Sequence, residues 1–181
     1  MPKGGWNVKN SKAKTVALTG MLFALALTLS FAESMLTPLL GLAPGVKLGL
    51  ANIVVMYALL FLDRRQALLL VVLKGGFALL TRGAVSACLS LCGGLLSLGV
   101  MVLLLRFAKP TRLILSASGA IAHNLGQLAA ASVLLGSGLA LAYAPVLLIS
   151  GLVMGWLTSL SLSAVIPALE KVGLGRDLPP E

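Results

Sequence analysis

The chain has 181 residues, of which 59% are hydrophobic and only 10% charged, and its formal net charge is +9. A soluble domain carries about a quarter charged residues to cover its surface, so this composition excludes an ordinary soluble protein and indicates a lipid environment. The basic excess does not indicate a nucleic-acid binder, because the lysines and arginines fall mainly in short gaps between apolar runs and aromatic residues are scarce.

Six apolar stretches have, or nearly have, the roughly 20 residues that a transmembrane helix needs. The first lacks a signal-peptide cleavage site before Glu33 and is therefore interpreted as a retained helix. The third carries Lys74 in its middle. The sequence predicts an all-α membrane protein, a six-transmembrane-helix bundle over residues 15–167 between cytoplasmic tails at 1–14 and 168–181. The predicted spans are 15–35, 46–62, 66–81, 84–105, 113–136 and 140–167.

The gaps between these spans predict the topology. Lysine and arginine concentrate on the cytoplasmic side of a membrane. Of the 14 basic residues, only Lys47 and Arg82 fall in gaps on the predicted outer side, and Lys74 lies within a span. All others lie in the two tails or in the alternate gaps. This alternation requires an even number of spans and predicts a multi-pass protein of the cytoplasmic membrane with both termini inside.

A run rich in proline and glycine precedes the second predicted span, over residues 38–52. Irregular backbone at membrane depth is tolerated where it lines a cavity or is buried in protein. We therefore expect Lys47 at the outer mouth of a binding site, with Asn52 more than one turn deeper and able to hydrogen-bond inward. The alternative for Lys47 is that its ammonium group extends to the membrane interface.

The fifth predicted span holds the only histidine of the chain. His123 and Gln127 are one helical turn apart, and Asn124 is adjacent to His123. Polar groups at membrane depth are costly and usually face a cavity or another helix. The two interpretations are a ligand-contacting face and a hydrogen-bond cluster between helices.

Three charged residues, Glu33, Lys74 and Arg82, also fall in or beside predicted spans. A buried ammonium group either loses its proton or finds an anion, so Lys74 favours an anionic ligand. The alternatives for Lys74 are an ion pair with Glu33 or a water-filled vestibule. Glu33 and Arg82 are both expected on the outer side, where they pair with each other or line the entrance.

Small residues recur at four-residue spacing and allow close helix approach. Packing within the bundle explains such ridges, whereas Gly20 and Ala24 on the first helix could instead contact a partner membrane protein. Cys88 and Cys92 are interpreted as packing residues, because no histidine or acidic residue lies near them in sequence to complete a metal site. No metal or other cofactor is predicted.

Several catalytic patterns are absent from the sequence. It contains no Walker A loop, no G-x-S-x-G elbow and no H-E-x-x-H motif. Its five acidic residues are never adjacent, so it has no aspartate-rich motif of the kind that holds Mg²⁺ in prenyl-diphosphate chemistry. No catalytic residue is predicted, and an enzyme of that type is not expected.

Three ordered runs carry a family resemblance: PGVKLGLAN at 44–52, SLCGGLLS at 90–97 and GAIAHNLGQL at 119–128. They resemble the bacterial Gx transporter family, also labelled heptaprenyl diphosphate synthase component I, and the resemblance extends from about Thr15 to Pro167. That family is similar to the substrate-binding membrane subunits of energy-coupling factor transporters. Those six-helix proteins bind a vitamin or precursor from outside and dock on a shared transmembrane subunit that carries two ATPases.

The resemblance implies a substrate-binding subunit, in a bacterial inner membrane, for a small anionic or amphipathic metabolite such as an isoprenoid or quinone precursor. It places the docking of the shared subunit at Gly20 and Ala24, with glycine where alanine is typical. One alternative is a non-catalytic membrane component associated with heptaprenyl diphosphate synthase and menaquinone biosynthesis. Another is a membrane partner in a redox assembly with no ligand of its own. The expected substrate contacts are Lys47, Asn52, Lys74, Arg82, His123, Asn124 and Gln127.

Overall fold

The computed structural model describes residues 8–39, 50–108, 110–135 and 144–171, and within these ranges every regular element is an α-helix. The all-α prediction is therefore confirmed for the described part of the chain. The helices are α1 (Val8–Leu39), α2 (Asn52–Phe61), α3 (Arg64–Phe107), α4 (Arg112–Leu135) and α5 (Ala144–Lys171).

Three segments of the described chain are long and apolar enough to cross a membrane, namely Thr15–Met35, Arg64–Phe107 and Ala144–Ser161. They support the prediction of a membrane protein. The fourth helix, α4, has 24 residues and enough length, but polar residues in its middle lower its hydropathy. The second helix, α2, has 10 residues and spans only about 15 Å. The count of six spans and the cytoplasmic placement of both termini remain predictions.

The long helix α3 is a hairpin that reverses at Gly83. Gly83 has φ 85° and ψ 178°, a backbone conformation that only glycine adopts without strain. A Cβ atom built on Gly94 would lie 2.8 Å from Cγ1 of Val71, although these residues would be about 35 Å apart in an unbroken helix. The contact requires the two limbs, 64–82 and 84–107, to lie side by side. They coincide with the third and fourth predicted spans.

The remaining helices pack around this hairpin. The α4 helix lies against both α3 and α5, while α1 and α2 contact α3 and each other. The approach of α4 to α5 is close, because a Cβ on Gly155 would lie 2.5 Å from the Cα of Ala117. Gly151 and Gly155 thus serve packing within the bundle, as expected in general for small residues at four-residue spacing.

A contiguous apolar cluster fills one end of the bundle, around α2. It includes Ala26 of α1, Val71 and Leu98 of the two limbs, and Leu115 of α4. Buried hydroxyl groups at this end bond to helix carbonyls, as the Ser116 hydroxyl does to the carbonyl oxygen of Gly155 at 2.7 Å. This α2 end is apolar, whereas polar side chains lie toward the opposite end, where Gly83 is.

Candidate polar site at the Gly83 end of the bundle

Polar side chains occupy the interior between the apolar cluster and the Gly83 turn. On α1, Ser30 and Glu33 follow Ala26 toward this end, and on the first limb of α3, Lys74 follows Val71. Ser30, Glu33 and Lys74 are each at most 5% exposed. We call the group the polar interior, and its members are Ser30, Glu33, Asn52, Lys74, Arg82, Ser90, Ser97, His123 and Gln127.

The floor of the polar interior is a hydrogen-bonded pair between α2 and the second limb of α3. The Nδ2 atom of Asn52 donates to Oγ of Ser97 at 3.0 Å, and that hydroxyl lies 3.2 Å from Oδ1 of the same amide. Both side chains are buried. Asn52 is the first residue of α2, so this helix begins inside the bundle at the level where the apolar cluster ends. The expected inward hydrogen bond of Asn52 is present.

His123 and Gln127 form the wall that α4 contributes. Their Nε2 atoms are 2.8 Å apart, and because an amide nitrogen can only donate, the Gln127 amide donates to the imidazole. Both residues pack on Gly93 of the second limb, where an added Cβ would meet the carbonyl oxygen of His123 at 2.8 Å and Cγ of Gln127 at 2.9 Å. The absence of a side chain at Gly93 lets these two bulky polar groups fit inside the bundle.

Asn124, which is adjacent to His123, has a different neighbour. Its Nδ2 atom donates to the carbonyl oxygen of Leu147 at 2.6 Å and lies 3.3 Å from Oγ of Ser150, both on α5. The structure therefore places Asn124 between α4 and α5, on another side of α4 from the contact with Gly93. The sequence grouped the three polar residues of α4 together, whereas the structure divides them between two helix interfaces.

The charged part of the polar interior joins α1 to the first limb of α3. The Nη2 atom of Arg82 donates to Oγ of Ser30 at 3.0 Å, and Glu33 is on the next turn of α1. Glu33 is 1% exposed and Lys74 is 5% exposed. The charges of Glu33 and Arg82 both act on Lys74, which places the three ionisable groups in one neighbourhood. The contact with Ser30 places Arg82 and Glu33 at the same end of the bundle, and their placement on the outer side of the membrane stays a prediction.

The buried polar atoms that have no hydrogen-bond partner among the described residues include Nη1 of Arg82 and Oγ of Ser90. Buried donors without a partner are uncommon, because each costs about 1–3 kcal/mol. These two donors, one of them on a cationic side chain, are suited to an anionic or hydrogen-bonding ligand. The described residues contain no group of three or more His, Cys, Asp or Glu side chains that could hold a metal ion.

Sequence reasoning did not assign Ser30, Ser90 or Ser97 to the site. Serine is common as a small packing residue in membrane helices, so serines alone give little signal. The available signal was spacing, because Ser90 and Ser97 are seven residues apart and therefore share a helix face with Gly93 and Gly94 between them. Ser30 lies three residues before Glu33 and shares its face for the same reason.

Three further predictions concern residues outside this polar interior. Lys47 lies outside the described residues. Gly20 and Ala24 are exposed on α1, and a Cβ on Gly20 would have no neighbour within 4 Å, so this face is not used for packing within the described bundle. Cys88 and Cys92 are free cysteines whose sulfur atoms are 4.0 Å apart on one helix face.

Comparison with known protein families gives a match over residues 22–165, to the family described as heptaprenyl diphosphate synthase component I. The chain belongs to the heptaprenyl diphosphate synthase component I family. Comparisons with curated proteins and with solved structures found no match.

The family match covers every residue of the polar interior of this component I protein. The match begins after Gly20 and includes Ala24, so only one residue of the predicted docking pair lies within it. The match bears out the resemblance drawn from the three sequence runs, which all lie within its limits.

Proposed function

We propose that this component I protein is the substrate-binding membrane subunit of a transporter for a small anionic or amphipathic metabolite, such as an isoprenoid or quinone precursor. The observation that carries the proposal is the polar interior: buried polar side chains from α1, α2, α3 and α4 lie at one end of a bundle that is apolar at the other. A purely structural bundle gains nothing from a buried Lys74 beside a partly buried Arg82, because the desolvation of charged groups is costly.

In this proposal the polar interior makes two kinds of contact with the ligand. Lys74 and Arg82 receive its anionic group, and His123 and Gln127 hydrogen-bond to its polar atoms. Asn52, held by Ser97 at the floor, sets the depth of the cavity, and Lys47 adds a cation at the outer mouth. Asn124 is tied to α5 through its amide nitrogen, so a ligand would reach it only through its carbonyl oxygen.

The partner in this proposal is a shared transmembrane subunit that carries ATPases, docked on the exposed α1 face at Gly20 and Ala24. The small side chains on that face would admit a partner helix closely. Gly20→Trp and Ala24→Trp should therefore abolish co-purification with an ATPase complex. Val133→Trp, at an α4 position that is 83% exposed, is the control for adding a tryptophan to the bundle surface. Equal loss in all three variants would count against docking at α1.

The ligand itself can be sought by native mass spectrometry of the full chain released from its own membrane. Wild-type protein should carry a small molecule that is depleted in Gln127→Leu and His123→Ala. Ser132→Ala is the matched control on the same helix, because its hydroxyl bonds only to the carbonyl oxygen of Leu128 in the described structure. The proposal fails if wild-type protein carries no such molecule and deletion of its gene leaves uptake of isoprenoid and quinone precursors unchanged.

A second candidate function follows from the family description: a non-catalytic membrane component associated with heptaprenyl diphosphate synthase and menaquinone biosynthesis. This function requires a stable complex with a soluble subunit that carries the aspartate-rich motifs missing here. Affinity purification of the full chain from the membrane separates the two candidates. Recovery of such a soluble synthase supports the second, and recovery of ATPases alone supports the first.

A further inference from the structure

The hydroxyl group of Ser90 differs from many hydroxyl groups in the described helices. Serine and threonine within a helix can donate their hydroxyl to a carbonyl oxygen one turn earlier in the same helix. Thr81 does so to Phe77 at 2.7 Å, and Ser132 to Leu128 at 2.9 Å. Ser90 is only 2% exposed, yet its Oγ atom has no hydrogen-bond partner among the described residues. This hydroxyl is therefore available to a group that the described chain does not supply.

The neighbouring glycines show which way Ser90 faces. Gly93, one turn later, packs on His123 of α4, and Gly94 packs on Val71 of the first limb. With 3.6 residues per turn, position 90 points between the directions of these two glycines. Ser90 therefore faces the space between the first limb of α3 and α4, which is the polar interior.

The depth of Ser90 follows from its spacing to the floor. Ser97 comes seven residues later, about two turns, and shares the same helix face. Its hydroxyl is bonded to Asn52 at 3.0 Å. Ser90 consequently lies about 10 Å above the floor, toward the Gly83 end. A bound molecule that rests on the floor would pass beside this hydroxyl.

Lys74 lies across the hairpin from Ser90. A Cβ on Gly75 would contact the side chain of Leu91, and these two residues directly follow Lys74 and Ser90 in the sequence. Because the limbs run in opposite directions, Lys74 and Ser90 lie at the same level to within one helical turn. An acid held by Lys74 would therefore present its adjoining atoms to the Ser90 hydroxyl.

A serine hydroxyl complements a ligand group of a different kind from a lysine or an arginine. It can both donate and accept a hydrogen bond, so it matches a neutral hydroxyl or carbonyl oxygen. A prenyl tail offers neither, and a site with a buried polar group discriminates against a ligand that leaves this group without a partner.

Resting on the proposed binding function, we propose that Ser90 is a specificity-determining residue that hydrogen-bonds to a hydroxyl or carbonyl oxygen of the bound metabolite. The metabolite class is then a hydroxy or keto acid, with its acidic group toward Lys74 and Arg82. A prenyl acid, which has only hydrocarbon beyond its acidic group, is bound less tightly.

The test uses 4-hydroxybenzoate and benzoate, which share a ring and a carboxylate and differ by one hydroxyl group, with the full chain in lipid nanodiscs. Isothermal titration of wild-type protein should show 4-hydroxybenzoate binding about tenfold more tightly. Ser90→Ala should remove most of that difference. Ser132→Ala is the matched control and should keep the difference, because its hydroxyl is bonded within α4.

Unfolding in mixed micelles without added acid separates a ligand contact from a packing role. Ser90→Ala removes a buried hydroxyl that has no hydrogen-bond partner among the described residues, so the stability of the protein should stay unchanged or rise. Ser97→Ala removes the partner of Asn52 and should lower the stability. Equal losses in both variants would assign Ser90 to packing and overturn the inference.

The binding outcomes separate the two proposals. If both acids bind equally tightly to wild-type protein, or if Ser90→Ala keeps the difference, the role of Ser90 is wrong while the proposed binding function stands. If neither acid binds and wild-type protein carries no small molecule from its own membrane, both proposals fail. If neither acid binds but such a molecule is carried, Ser90→Ala must deplete it, and its composition must include an acid with a further hydroxyl or carbonyl oxygen. Any other result in that case refutes the role of Ser90.

Discussion

The side chains of Asn52 and Ser97 meet through one hydroxyl group, which lies 3.0 Å from the amide nitrogen and 3.2 Å from the amide oxygen. This pair ties the first turn of α2 to the second limb of α3, at the level where the apolar cluster gives way to polar side chains. A short helix that begins inside a bundle leaves its first backbone N–H groups without helix partners. At the start of α2 the N–H of Ile53 donates to the carbonyl oxygen of Leu50 at 3.2 Å, so the floor of the proposed cavity is set by the Asn52 amide and the Ser97 hydroxyl.

The first prediction concerns this pair. Asn52→Ala should lower the free energy of unfolding, because it leaves the hydroxyl of Ser97 buried without its amide partner. A double-mutant cycle with Ser97→Ala should give a coupling energy of about 1 kcal/mol, the scale measured for polar pairs in membranes. Unfolding in mixed micelles, with Ser132→Ala as control, provides the measurement. Strictly additive costs would mean that the two side chains do not interact.

The second prediction concerns the hairpin in α3. A Cβ on Gly94 would lie 3.6 Å from Cβ of Val71, within the range of about 3.5–4.5 Å found in disulfides. Val71→Cys with Gly94→Cys, in a background with Cys88 and Cys92 replaced by alanine, should oxidise to an intramolecular disulfide detectable by peptide mass spectrometry.

The matched control for that disulfide is Val72→Cys with Gly94→Cys. Val72 is adjacent to Val71 but is 51% exposed, so its side chain points away from the second limb. Equal cross-linking of both pairs would show that the cysteines meet through unfolding or collision. No cross-link in the Val71 pair would contradict the reversal of the chain at Gly83.

The third prediction separates packed glycines from exposed ones. A methyl group at Gly155 would meet the backbone of Ala117, which cannot move aside easily, so Gly155→Ala should destabilise the protein by about 1–3 kcal/mol. Gly99 has no atom within 4 Å of the added Cβ position. Gly99→Ala should be neutral, or stabilising by up to about 1 kcal/mol through helix propensity. Similar losses in both variants, measured by unfolding, would refute the close contact of α4 with α5.

The fourth prediction tests orientation in the membrane. With native cysteines replaced, Thr81→Cys lies in an exposed position beside the Gly83 turn, and Asp63→Cys lies in an exposed position between α2 and α3. A membrane-impermeant maleimide added to intact cells should label the cysteine at 81 and should reach the one at 63 only after permeabilisation. The reverse pattern would invert the proposed topology and place the polar interior on the cytoplasmic side.

Much of the helical content and the hairpin position followed from the sequence, because long apolar runs have one stable form in lipid, a helix whose backbone hydrogen bonds are internal. The limits of the third and fourth predicted spans agree with the two limbs of α3 to within a few residues. The hydropathy pattern could not reveal that α2 begins at Asn52, since the apolar character of the chain continues from 46 while the described helix does not extend before that residue.

The sequence by itself determined that this protein belongs in lipid and which of its residues are the rare polar ones, because composition and the length of the apolar runs set the cost of exposure to water. Only the tertiary structure decided which helix interface each of these polar groups occupies. It turned Asn124 toward α5 while His123 packs on Gly93, and it brought Ser30 to Arg82 and Ser97 to Asn52. These contacts depend on which helices are neighbours and on helix rotation, and neither is specified by spacing along one chain segment.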